Sequence, residues 1–167
     1  SSAGGFPSPG STISVYDLSG GTWTLEDEIH RPGYDWFGID MDETGTRIVG
    51  TGSVNNSLGF VRASVFVRGR GGDWSLEDEV IVTPPTPFAY ALPRDVAIQG
   101  NTVVLTAIIP GNKHFVLTRN GSDWSVAQEL DLPGGAPFSN RWAEIDNDKI
   151  VIGAASFSDF IPDQVFV

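Results

Sequence analysis

The side chains that most readily do acid–base chemistry near neutral pH here are two histidines, His30 and His114, and 21 aspartates and glutamates. With no Cys there is no thiol nucleophile, no disulfide framework and no zinc-finger spacing. Neither His-Glu-x-x-His nor a Gly-x-Ser-x-Gly elbow occurs, so zinc and serine hydrolysis have no signature, and His114 reads as a strand residue. Gly50-Thr51-Gly52 and Gly69-Arg70-Gly71 superficially suggest nucleotide loops. Neither completes Gly-x-Gly-x-x-Gly or opens a helix, and both read as turns. Paired carboxylates could cleave glycosides, but no pair stands out. The acidic runs Glu26-Asp27-Glu28 and Glu77-Asp78-Glu79 admit two readings, a cation-binding patch or a charged outer strand that discourages edge pairing, and the second is favoured.

Composition narrows the partners. A formal net charge of -11 repels phosphate backbones and anionic membrane surfaces, so no nucleic acid partner is expected. No apolar run reaches the roughly 18 residues of a spanning helix, and no membrane insertion is expected. Gly (20) and Pro (11) are frequent and 40% of the residues are hydrophobic, which fits many short strands joined by turns.

Those strands are organised by a repeat. Gly20-Gly21-Thr22-Trp23-Thr24-Leu25-Glu26-Asp27-Glu28-Ile29 matches Gly71-Gly72-Asp73-Trp74-Ser75-Leu76-Glu77-Asp78-Glu79-Val80, and both match Gly121-Ser122-Asp123-Trp124-Ser125-Val126-Ala127-Gln128-Glu129-Leu130. An apolar strand precedes each Trp segment: Ser14-Val15-Tyr16, Val65-Phe66-Val67 and Phe115-Val116-Leu117. Counted at period two, Trp23, Leu25 and Ile29 share one face, as do their counterparts, with Asp27, Asp78 and Gln128 interrupting it. A second strand pair follows each Trp segment. Val96-Ala97-Ile98 and Ala143-Glu144-Ile145 lead through Gln99-Gly100-Asn101-Thr102 and Asp146-Asn147-Asp148-Lys149 into further apolar strands, with turn centres that tolerate positive φ. In the first repeat a longer acidic loop takes the place of that turn.

A four-stranded unit of about 50 residues repeated in tandem is the signature of propeller blades, so the expected fold is all-β, with about three tandem blades of four antiparallel strands in a partial or open propeller. The boundaries are an N-terminal segment at 1–10, the outer strand pair of a first partial blade at 11–34, blades at 35–82 and 83–130, and an incomplete blade at 131–167. Propellers have four to eight blades, so the chain is expected to be a fragment of a longer polypeptide or to assemble with copies or neighbours.

The succession of an apolar strand, Gly-x-x-Trp, an acidic strand, a Phe-containing loop, Val96-Ala97-Ile98, a tight turn and a Val-Val-Gly-Ala-like strand resembles the FG-GAP repeats of integrin-α-like β-propellers, in the Trp-bearing form of microbial secreted proteins. The resemblance covers about residues 11–167. Gly153-Ala154-Ala155 lacks the Pro of the Gly-Ala-Pro motif, and Phe88-Ala89 and Phe138-Ser139 are degenerate forms of Phe-Gly. It implies an extracellular or cell-surface location and a non-enzymatic binding or adhesion module that engages a protein or glycan ligand. The alternative is a structural subunit of an extracellular filament or coat, packed on neighbouring subunits.

Repeats of that family often carry a calcium loop, which makes calcium the candidate cofactor. Asp40, Asp42 and Thr44, followed by Gly45, set oxygen donors at alternate positions, as a hard cation requires. Ile48 stands where the last carboxylate belongs, and the competing reading is a solvated acidic hairpin. Asn55-Asn56-Ser57 and Asn120-Gly121-Ser122 have the form of glycosylation acceptors, making Asn55 and Asn120 the candidate glycan sites of a glycoprotein. Trp36 and Trp142 are expected in the core. Phe88 and Tyr90 lie in the longest inter-strand loop, Thr83 to Arg94, the candidate binding surface.

Overall fold

In a computed structural model of the chain, residues 11–54, 60–83, 91–109, 113–131, 140–155 and 164–166 are described. They form strands and turns and contain no helix. The strands are β1 (Thr12–Ser19), β2 (Thr22–His30), β3 (Tyr34–Met41), β4 (Arg47–Val54), β5 (Val61–Arg68), β6 (Trp74–Val82), β7 (Leu92–Gln99), β8 (Thr102–Ile108), β9 (Lys113–Asn120), β10 (Asp123–Asp131), β11 (Asn140–Asp146), β12 (Lys149–Ala155) and β13 (Gln164–Phe166). They make four antiparallel sheets in chain order: β1-β2, then β3-β4-β5-β6, then β7-β8-β9-β10, then β11-β12-β13. Each strand pairs with its sequence neighbour, so the sheets are meanders. The expected tight turns are present: Gly100 (φ +57°) and Asn147 (φ +54°) supply the left-handed residues that two-residue hairpins need.

Consecutive sheets pack face to face, and each junction has its own core. Ile13, Val15 and Ile29 of the first sheet meet Ile48 and Phe66 of the second, with Trp36 and Trp74 packed against them. Val49, Val61 and Val65 meet Val103, Leu117 and Trp124 at the second junction. Ala97 and Val104 meet Ala143, Ile145 and Ile152 at the third. At the second junction β3 and β7 approach so closely that a Cβ on Gly38 would stand 2.7 Å from the Asp95 Cα. Only glycine permits that approach.

One sequence expectation is overturned here. Trp74 packs back onto the first sheet while Val80 packs forward onto the third, although period two puts both on one face. A β-bulge is the cause. Val65 pairs with Asp78 and Phe66 with Leu76, which leaves Glu77 unpaired and inverts the alternation beyond it. The same bulge recurs at Glu26 and at Ala127. Each outer strand therefore serves two junctions, its Trp facing the preceding sheet and its last apolar residue the following one.

Trp36 is half-buried against the first core, as expected, but Trp142 is 47% exposed and is not a core residue. Gly153 directly beneath it leaves the indole lying on bare backbone.

Candidate functional site

The acidic residues of the outer strands are used between sheets. Asp27 and Asp78 lie just beyond the bulges and point forward. The Oδ2 of Asp27 accepts the Trp74 backbone N–H at 3.0 Å, and that of Asp78 accepts the Trp124 N–H at 2.7 Å. The other oxygen of each caps its own strand by accepting the next residue's N–H. The bulged glutamates reach forward as well: Glu26 pairs with Arg68, and Glu77 pairs with Arg119. Glu77 also accepts from the Arg47 Nε at 3.0 Å and from the Trp124 Nε1 at 3.2 Å. The inner strands repeat the device. Asp40 accepts the Ile98 N–H at 2.8 Å, and Asp95 accepts the Ala143 N–H at 3.0 Å. At the turn tips Gln99 accepts the Asn147 N–H at 2.6 Å.

The acidic runs lie on outer strands, as favoured, but their carboxylates also pair between sheets, which the edge-guarding view did not include. Glu79 accepts from Arg31 and Arg62, each at 2.8 Å, and from the Ser64 hydroxyl, which in turn contacts the buried Tyr34 hydroxyl. The Glu77 side chain is only 7% exposed. The arginines at the junctions were the part that sequence reasoning missed. Their signal was present, since Arg68 and Arg119 each pair with the Trp of the following strand.

Burial alone would raise the carboxyl pKa of Glu77, but the hydrogen bonds from Arg47, Trp124 and Arg119 outweigh it and hold the group below the usual glutamate value. A depressed folded pKa stabilises fully above the unfolded value of 4.5 and is lost as pH falls through the lower folded value. The melting temperature of the wild type is therefore expected to drop on acidification from pH 5 towards pH 3 more steeply than that of Glu77→Gln, which has no carboxyl there to protonate. Parallel melting curves of the two proteins across that range would contradict this.

The candidate calcium loop is closed by its own hydrogen bonds. Asp42 is buried, and its carboxylate accepts the Thr46 and Arg47 N–H groups at 2.8 and 3.0 Å and the Thr44 hydroxyl at 2.9 Å. Burial works against ionisation, yet those bonds prevail and keep the Asp42 pKa below the ordinary aspartate value. Asp40 points away towards Ile98. The oxygens of Asp40, Asp42 and Thr44 thus staple a turn and bind the next sheet, and they do not fit calcium as a set. Among the described residues no group of three His, Cys, Asp or Glu side chains could hold a metal ion.

His114 is fully buried on β9. Asn120 ends β9 with its side chain exposed at a hairpin whose Gly121 has φ +68°, a position with room for a glycan. Asn55, Phe88 and Tyr90 lie outside the described residues.

Among the described residues, one face of the first sheet is left open. Tyr16 occupies the repeat position of Phe66 and Leu117, which are 2% and 1% exposed, yet it is 55% exposed itself. Trp23 stands where Trp124 is 5% exposed, and it is 66% exposed. Leu25 adds less to the argument, because its counterparts Leu76 and Val126 are exposed too. Beside this face a cleft of about 260 Å³ opens between β1 and β3, lined by Ile13, Tyr16, Ile39, Met41 and Ile48. No family model and no curated protein matches the chain. The open face is thus the feature from which a function has to be argued, and its chemistry is aromatic and aliphatic.

Proposed function

We propose that the chain is a non-enzymatic, extracellular β-propeller module of the FG-GAP, integrin-α-like type that acts by binding protein. Support for the propeller comes from the serial stacking of four-stranded meanders whose inner strands and outer strands each meet their counterparts in the next sheet. The 50-residue period and the exposed acceptor form at Asn120 agree with the secreted family it resembles. In the acidic runs, Glu77, Asp27 and Asp78 are bound to arginines and backbone N–H groups.

The observation that carries the binding reading is the exposure of Tyr16, whose counterparts Phe66 and Leu117 are buried, and of Trp23, whose counterparts Trp74 and Trp124 are partly buried and buried. A large aromatic patch of this kind on a sheet face marks a docking surface. Protein is favoured over glycan because Trp23 has Leu18, Tyr16 and Leu25 as neighbours, whereas a sugar site sets polar groups around its aromatic platform. The structural-subunit alternative would use the same face. Replacing Trp23 by a photo-reactive phenylalanine and irradiating the protein in its native setting is expected to give a covalent protein adduct at position 23. Recovery of unadducted chain alone, or of a saccharide adduct, would sink the reading.

A further inference from the structure

The outer hairpins are not alike. β1–β2 and β9–β10 turn over two residues, Gly20-Gly21 and Gly121-Ser122. β5–β6 turns over three, Arg70-Gly71-Gly72, closed by the Gly69 N–H on the Asp73 carbonyl at 2.8 Å and by the Gly72 N–H on the Gly69 carbonyl at 3.0 Å. Gly72 takes φ +96°, which glycine adopts freely. The added length brings an arginine. Arg70 is exposed and has no carboxylate partner among the described residues, whereas Arg68 beside it pairs with Glu26. The hairpin borders an open hollow of about 440 Å³ that it shares with Thr46, so its tip faces solvent.

An arginine so placed is a target for hydrolysis. A serine protease of the trypsin class holds a Lys or Arg side chain in an acidic pocket and binds the flanking backbone extended, which a folded strand resists until it leaves its sheet. Of the 10 lysines and arginines in the chain, all but Arg31 and Arg70 lie within strands. Arg31 precedes Pro32, whose ring crowds the nitrogen that has to leave. Arg68, at the end of β5, is tied by Glu26 and by its own N–H to the Thr46 carbonyl at 2.9 Å. Arg70 is left, on a glycine-flanked tip that opens at small cost.

We propose that this hairpin is a processing site, cut between Arg70 and Gly71 by an arginine-specific serine protease, and that the cut chain stays one folded unit. The protease serine attacks the Arg70 carbonyl carbon, the bond to the Gly71 nitrogen breaks and that nitrogen leaves with a proton; water then releases Arg70 as a carboxylate. The new ammonium on Gly71 arises beside carboxylates, since a Cβ on Gly71 would stand 3.4 Å from the Asp73 Oδ2 and one on Gly72 3.7 Å from the Glu26 Oε1. The pieces remain tied through the whole β5–β6 register, from Val61 with Val82 to Arg68 with Trp74. Arg62 and Arg47 of the first piece hold Glu79 and Glu77 of the second at 2.8 and 3.0 Å, and the Trp74 N–H stays on Asp27. A cut here therefore severs the chain without removing a junction. None of this depends on what docks on the first sheet.

The test is limited digestion of the full chain with trypsin under native conditions, followed by intact mass and size exclusion. The first products are expected to be residues 1–70 and 71–167 in equal amounts, eluting together at the position of the uncut chain with unchanged far-UV circular dichroism and separating only in denaturant. Arg70→Gln should slow the first cleavage by more than about tenfold, because the sites that remain require a strand to open. Arg70→Lys, which the same pocket accepts, should restore it. A chain that resists trypsin, a first cut at another residue, pieces that part or unfold on cutting, or Arg70→Gln cut as fast as the wild type would each overturn the proposal.

Discussion

Replacing Glu77 by alanine is expected to lower the stability of the protein by about 2–4 kcal/mol, which corresponds to a fall in melting temperature of about 5–15 °C for a chain of this size. The side chain is 7% exposed and accepts from Arg47 on its own sheet and from Arg119 and the Trp124 indole on the next. Its removal leaves two guanidinium groups and an indole N–H facing a space that water reaches poorly. Breaking a fully buried ion pair from one side costs about 3–5 kcal/mol. Here the arginine side chains are 18% and 21% exposed, so they can partly turn to solvent, and the lower range applies. Glu26→Ala removes the equivalent residue at the first junction. Its partner Arg68 is 39% exposed, so the loss there should be the smaller of the two. Thermal melts of the two variants side by side check the ordering. Equal losses would mean that the depth of the junction does not govern the contribution.

The contrast between the two glutamates shows what could and could not be read from the sequence. The recurrence of Trp23, Trp74 and Trp124, the strand pairs around them and the hairpins at Gly100 and Asn147 were all legible, because turn residues and apolar runs carry local signals. The bulge was not. A period-two count assumes an unbroken pleat, so it assigned Trp23, Leu25 and Ile29 to one face and made Asp27 an intruder on it. With one unpaired residue at Glu26 the count inverts, and Asp27 shares its face with Ile29 and reaches Trp74. The pairing of the acidic runs was hidden as well. Their partners, Arg68 and Arg119, lie about 42 residues away on another sheet, and only the stacking brings them together. The open face on the first sheet was likewise invisible, because exposure there depends on a missing neighbour and not on residue type: Tyr16 and Phe66 are near-equivalents in sequence and opposites in burial.

That pair of residues supplies an internal control for the whole architecture. Phe66→Ala is expected to cost about 3–5 kcal/mol, since it empties a site enclosed by Ile13, Val15, Ile29 and Ile48 and removes the edge-on contact with the Trp36 ring at 6.0 Å. Tyr16→Ala, at the same repeat position but with no sheet in front of it, should change the stability of the separated chain by no more than about 0.5 kcal/mol. Urea unfolding of the dilute chain measures both. The two variants remove an aromatic ring from the same repeat position with and without a preceding sheet, so most of the difference between their costs is the contribution of the junction. If Tyr16→Ala proved as costly as Phe66→Ala in the dilute chain, something within the same chain would have to cover the first sheet, and its aromatic face could not be a docking surface.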